Sequence, residues 1–231
     1  NNVGDDEKRK CSRANMSFNV NKFLPLSKKI IGAGLNYKSV VAERGLKIPT
    51  EPIVFLKAST SYITQGQEIK IPEGFEVHHE IELGAVIGKV CKNVEPKKIK
   101  EYIGGYCLAL DLTAVNILKE AREAGHPWTL GKTFDTACPV SRVLTPDQLP
   151  QPQDTRIWCA VNGITKQDSS TSGMIFPTET LISYISRYIT LEPYDLIVTG
   201  SPAGTGVIKP GDIITAGLGN ALNIEFKVAK N

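Results

Sequence analysis

Apolar residues in this chain fall into short runs rather than long helical stripes. From Ile30 onward "KIIGAG", "IVFLKA", "EIKIP", "EIELGAVIG", "YCLALDLT", "RIWCAVNG", "DLIVTG", "DIITAG" and "NIEFKVA" follow one another, separated by glycine and proline turns. Runs of this length and composition predict strands, so the chain reads as mostly β. Asn162-Gly163 directly after "IWCAV" predicts a two-residue hairpin, because both residue types tolerate the positive φ such a turn requires. Three stretches change period and predict helices. "EPKKIKEY" is short, "TAVNILKEAREAGH" offers Thr113 as N-cap and Gly125 just past its end, and residues 178–189 carry Leu181, Ile182, Ile185 and Ile189 on one face. The opening "NNVGDDEKRKCSRAN" is polar and aperiodic, which predicts a disordered tail over residues 1–15. Residues 16–231 show no internal repeat and no boundary, which predicts a single domain of α+β class, mostly β with a few short helices.

Against this pattern two acids stand out. "VHHEIELGAVIG" sets Glu80 and Glu82 one residue apart in a run that becomes steadily more apolar. Side chains alternate along a strand, so both carboxylates point the same way. An isolated pair of this kind is usually the wet face of an amphipathic strand, but "LGAVIG" continues into the interior, where like charges require protons or a cation. Asp111 closes the apolar run "GGYCLAL" and is a second anomaly of the same kind. Three carboxylates without a histidine or cysteine set favour a hard divalent ion, Mg²⁺ first and Mn²⁺ or Ca²⁺ next. Lys132 in "WTLGKTFDT" is the local cation, or else an ordinary surface lysine. The loop "VTGSPAGTGVIKPGD" contains Gly200 and Ser201. It either makes a tight turn or aims backbone N–H groups and the Ser201 hydroxyl at an anion.

Composition narrows the classes. With 231 residues, a net charge of +3 and dispersed basic residues, the chain lacks the footprint of a nucleic-acid binder. No apolar run reaches the length that spans a bilayer, which predicts a soluble protein. The five cysteines are odd in number and form no CxxC pair, which argues against a disulfide framework or a zinc ribbon. Cys107 reads as core, and Cys138 has no histidine base in view. A carboxylate-pair glycosidase would work in the presence of chelators, and a calcium-stabilised binding domain would respond to Ca²⁺ without turnover.

"HHEIELGAVIGK", "GGYCLALDLTA", "PWTLGKTFDTACPVS", "SYIS", "ITLEPYDLIVTGSPAGTG" and "KPGD", in that order from Ile30 to the C-terminus, resemble the fumarylacetoacetate hydrolase superfamily. The nearest likeness is to its small acylpyruvase and oxaloacetate decarboxylase or tautomerase members. The resemblance implies a mixed β-roll, a homodimer, Mg²⁺ on Glu80, Glu82 and Asp111, and substrate contacts from Lys132, Gly200 and Ser201. It implies a small 2-oxo acid substrate whose enolate the ion and Lys132 stabilise. Acylpyruvate hydrolysis, oxaloacetate decarboxylation and tautomerisation all branch from that enolate.

Such relatives carry a His-Glu dyad on the segment after "GxNY", here "GLNYKSVVAERGLKIP". Glu43 stands at the glutamate position and is the catalytic candidate there, but Val40 takes the histidine position. Leu35 and Val115 replace common arginines. Losing a general base costs roughly 10²–10⁴ in rate, so hydrolysis suffers most, and the alternative is a metal-binding homologue with little turnover. His78 shares the glutamate face if the alternation holds back that far. Relatives are often mitochondrial, although "DDE" near the N-terminus is unlike a transit peptide, which leaves mitochondrial or cytoplasmic placement open.

Overall fold

A computed structural model describes residues 18–231. The predicted tail over residues 1–15 lies outside the described residues. The central sheet has seven strands, in the order Ile53–Lys57, Ile30–Gly34, Leu196–Val198, Ile81–Ile87, Ile103–Leu110, Cys138–Val140 and Tyr62–Thr64. It is mixed: Ile30–Gly34 runs parallel to Leu196–Val198, which is antiparallel to Ile81–Ile87. A second sheet of five strands is built around the hairpin Arg156–Val161 and Ile164–Ser170, and Leu222–Lys230 alternates buried and exposed residues along its inner face. Asn162 and Gly163 turn that hairpin with φ of 52° and 77°, as the dipeptide predicts.

All seven residues of Ile81–Ile87 are buried, because the strand is paired on both edges and covered on both faces. Gly84 permits this: a Cβ there would stand 2.6 Å from Cys107 Sγ and 2.9 Å from Leu196 Cδ1. The expected continuous strand from residue 77 is instead broken at Glu80. Val77–His79 belongs to a small three-stranded sheet with Gly206–Val207 and Thr113–Ala114, and the chain changes sheets as the Glu80 carbonyl accepts from the Asp111 N–H at 2.8 Å. The alternation survives the break, so His78, Glu80 and Glu82 line one cleft.

The predicted helices are present with two corrections. "EPKKIKEY" forms a 3₁₀-helix, Pro96–Tyr102. Thr113 does not cap the second helix, Val115–Ala124: it lies in the strand Thr113–Ala114, Ala114 takes the cap position, and the threonine hydroxyl turns inward. Gly125 ends that helix with φ of 68°, as predicted. The helix Thr178–Tyr188 buries Leu181, Ile182 and Ile185. Three α-helices among the described residues escaped the sequence reading, the single turns Phe23–Leu26 and Thr129–Lys132 and the helix Lys38–Glu43, all too short for a visible period. Cys91, Cys107, Cys138 and Cys159 are free and buried, and burial pushes the Cys138 thiol up to about 12, which disfavours a nucleophile there. Among the described residues no helix is long and apolar enough to cross a membrane.

Candidate functional site

Two paired strands bring the acids together. Glu80 sits at the break between sheets, Glu82 enters the central sheet two residues later, and Asp111 follows the strand Ile103–Leu110 that pairs with Ile81–Ile87. The three carboxylates offer oxygens that all lie within 4.8 Å of one another. Glu82 and Asp111 are buried, while Glu80 keeps 16% of its side chain exposed and faces the cleft.

Two lysines meet this cluster. Lys132 Nζ donates to Asp111 Oδ2, to Thr113 Oγ1 at 2.7 Å and to Glu80 Oε2 at 3.2 Å, and lies 4.2 Å from the centroid of the Phe55 ring. Lys57 Nζ donates to Asp111 Oδ1 at 2.7 Å and to the Leu112 carbonyl at 3.0 Å, with no side-chain exposure. Lys57 was missed by the sequence reading and occupies the far side of Asp111 from Lys132. Thr113 Oγ1 has Glu80 Oε2 and the Asp111 carbonyl each at 3.1 Å as alternatives for its one proton.

The electrostatics are divided. Burial raises the Glu82 pKa well above the usual carboxylate range, and the neighbouring Asp111 and Glu80 charges push it further. Burial also raises Glu80, against the pull of Lys132. Burial opposes the Asp111 charge too, but Lys132 and Lys57 more than offset it and hold that carboxyl below its ordinary value. For Lys132, burial is outweighed by Asp111 and Glu80, and its pKa rises. Three clustered acids face two ammonium groups, so only with all three ionised does the cluster carry an excess of negative charge, and the raised Glu82 pKa reflects the cost of that excess. All-oxygen donors with that excess fit a hard divalent cation.

The glycine-rich loop closes the other side. The Gly200 N–H donates to Glu82 Oε2 at 2.7 Å, so this backbone amide positions a carboxylate rather than a free anion. Ser201 lines the cleft and its Oγ accepts from Gln167 Nε2 at 2.8 Å. Gln167 is a second residue missed from sequence. Its Oε1 accepts from the Ile81 N–H at 3.1 Å and meets His79 Nδ1 at 2.9 Å, tying the strand Ile81–Ile87 to the loop. Gly200 has φ of 100°, and a Cβ there would stand 2.7 Å from the Asn36 Cβ. Gly200→Ala is expected to destabilise the fold by about 1–3 kcal/mol and to weaken divalent-ion binding by displacing the amide from Glu82. Thermal unfolding and Mn²⁺ titration check this; an unchanged melting temperature would remove the strain argument.

The cleft measures about 490 Å³. Leu35, Val40 and Val115 line it as apolar walls, and Leu35 holds φ of 53°, rare for a leucine. His78 also lines it, with Nε2 3.6 Å from Glu76 Oε1. Glu43 is different: it is exposed at the end of the helix Lys38–Glu43, outside the residues that line the cleft.

Residues 29–229 match the family described as Fumarylacetoacetate (FAA) hydrolase C-terminal. A mitochondrial oxaloacetate tautomerase of Homo sapiens is 41% identical over 212 residues, covering 91% of this chain and 96% of the relative. A mitochondrial oxaloacetate decarboxylase of Dictyostelium discoideum is 43% identical over 201 residues, covering 86% and 92%. Among solved structures, fumarylpyruvate hydrolase from Pseudomonas aeruginosa in complex with Mn²⁺ and pyruvate superposes with a TM-score of 0.83 at 26% identity, covering 94% of this chain and 93% of that one. By sequence match, by fold and by the extent of both, the chain belongs to the fumarylacetoacetate hydrolase family.

Proposed function

We propose that this chain is a divalent-metal-dependent enzyme acting on small 2-oxo acids, with oxaloacetate tautomerisation as its first activity. The convergence of Glu80, Glu82 and Asp111 with a buried lysine in one cleft carries the reading. Those three carboxylates would hold Mg²⁺ or Mn²⁺, and a bound ion supplies Lewis-acid polarisation of the 2-oxo carbonyl. Lys132 carries its proton-rich Nζ at the same place, held by Asp111, Glu80 and Thr113, and serves as a fixed cation for oxygen that becomes negative during enolisation. Ser201 adds a hydroxyl from the opposite loop.

The chemistry divides on the proton. Acylpyruvate cleavage requires a base that deprotonates water, and position 40 presents the Val40 side chain, with Glu43 outside the lining. Tautomerisation moves one proton between oxygen and carbon, which needs a proton shuttle but no activated water. The names of the human and Dictyostelium relatives support the oxaloacetate reading. Val40 also favours a second reading, a metal-binding homologue with little turnover.

Oxaloacetate consumption by purified protein separates them, with enol loss and pyruvate formation followed independently. Removal of divalent ions with EDTA is expected to abolish turnover and lower the melting temperature, and Mg²⁺ or Mn²⁺ to restore both. Turnover that survives EDTA would sink the metal-dependent reading. Oxalate binding in the presence of Mg²⁺ without turnover would leave the binding-only reading.

A further inference from the structure

The cleft has chemically different ends. Its floor is the carboxylate cluster with Lys132, and its walls are Leu35, Val40, Val115 and Leu118. At its mouth stand two arginines that the floor does not use. Arg44 ends the helix Lys38–Glu43 and Arg122 lies in the last turn of Val115–Ala124, so they reach the cleft from separate elements. The Arg122 guanidinium carbon lies 4.6 Å from the centroid of the Trp128 ring, which holds the planar group against the wall. Glu123, the acid at the mouth, is paired with Lys119 at 3.9 Å. Among the described residues neither arginine takes part in an ion pair. Burial and then the Arg44 charge lower the Arg122 pKa while Glu80 on the floor pulls it the other way, and Arg44 also acts on His78, as expected for cations gathered at one opening above an acidic floor. Like charges gathered at one opening, neither held in an ion pair, form an anion-receiving field.

We infer that Arg44 and Arg122 form a distal carboxylate subsite, selecting 2-oxo acids that carry a second carboxylate at the end remote from the 2-oxo group. The inference rests on the proposed function, which places the 2-oxo end on the cleft floor. A guanidinium presents paired donors that match a carboxylate, and stacking on Trp128 fixes one of the two forks. The apolar walls offer the middle of the ligand no hydrogen bonds, so the chemical class is a 2-oxo diacid with a hydrocarbon linker. A volume of about 490 Å³ accommodates such an elongated ligand.

Two ligands of equal length test it: 2-oxoadipate, and 2-oxohexanoate, which lacks the distal carboxylate. Equilibrium binding to Mn²⁺-loaded protein is measured by calorimetry, so turnover is not required, with oxalate as the ligand of the floor alone. Wild-type protein is expected to prefer 2-oxoadipate by about tenfold. Arg44→Gln and Arg122→Gln should each shrink that ratio about threefold to fivefold, the double variant should erase it, and added salt should reduce it in the wild type. A wild-type ratio near one with oxalate still bound overturns the subsite alone, as does a ratio that both substitutions leave unchanged. Failure of oxalate itself to bind overturns the floor reading and the subsite with it.

Discussion

Asp111→Ala is expected to abolish divalent-ion binding and turnover together, and to lower the melting temperature of the metal-free protein by roughly 10 °C. Asp111 is 1% exposed and is the shared acceptor of two buried ammonium groups, Lys57 at 2.7 Å and Lys132 on its other oxygen. Removing it leaves both cations in the interior with the nearest charge gone, and breaking a buried pair from one side costs about 3–5 kcal/mol. Asp111→Asn keeps the shape and one acceptor oxygen, so it should fold better than the alanine variant while binding Mn²⁺ equally poorly. Replacing Lys57 by methionine in the Asp111→Ala background removes one stranded cation and should recover part of the lost stability. Unfolding curves and Mn²⁺ titration of the four proteins read both effects. Mn²⁺ affinity in Asp111→Ala within a few-fold of wild type would show that Asp111 is a counter-ion and not a ligand.

The carboxylate triad was legible because strand periodicity is robust: one residue between Glu80 and Glu82 fixes a common face even though the strand breaks at Glu80. Asp111 was legible as an acid closing an apolar run. Lys57 was not, because "IVFLKA" inverts the expected alternation. Phe55 and Lys57 point inward while Val54 and Leu56 are 39% and 52% exposed on the edge of the central sheet. Hydropathy assigns the inward face to the apolar set, so a strand that buries its lysine misleads it. Gln167 was illegible for another reason. It stands in the polar strand Ile164–Ser170, and its partners His79, Ile81 and Ser201 are distant in sequence, so only the fold joins them. Thr113 shows local and tertiary chemistry competing: the same threonine that suits a helix cap turns to Lys132 and the acids because a buried ammonium has few other acceptors.

Lys132→Met is the substitution that separates holding a metal from using it. Methionine keeps the length and apolar stem of the lysine, so packing on Phe55 survives while the charge is lost. If Lys132 stabilises negative charge that develops on the 2-oxo oxygen, kcat should fall roughly 10²–10³-fold, the loss typical of removing one such donor. Divalent-ion binding should move the opposite way. With the ammonium gone, Glu80, Glu82 and Asp111 retain only Lys57 as a buried cation, so the metal-free variant should be less stable than wild type and gain more stability from saturating Mn²⁺. Lys132→Arg should not restore kcat, because a planar fork cannot reproduce the three directions in which Nζ donates to Asp111, Glu80 and Thr113. Turnover within tenfold of wild type, with the larger Mn²⁺ response still present, would reduce Lys132 to a counter-ion that the metal displaces. Loss of turnover together with loss of Mn²⁺ binding would mean that the lysine chiefly organises the carboxylates. The combination of slower chemistry and a stronger metal response is what a cation shared between floor and substrate requires.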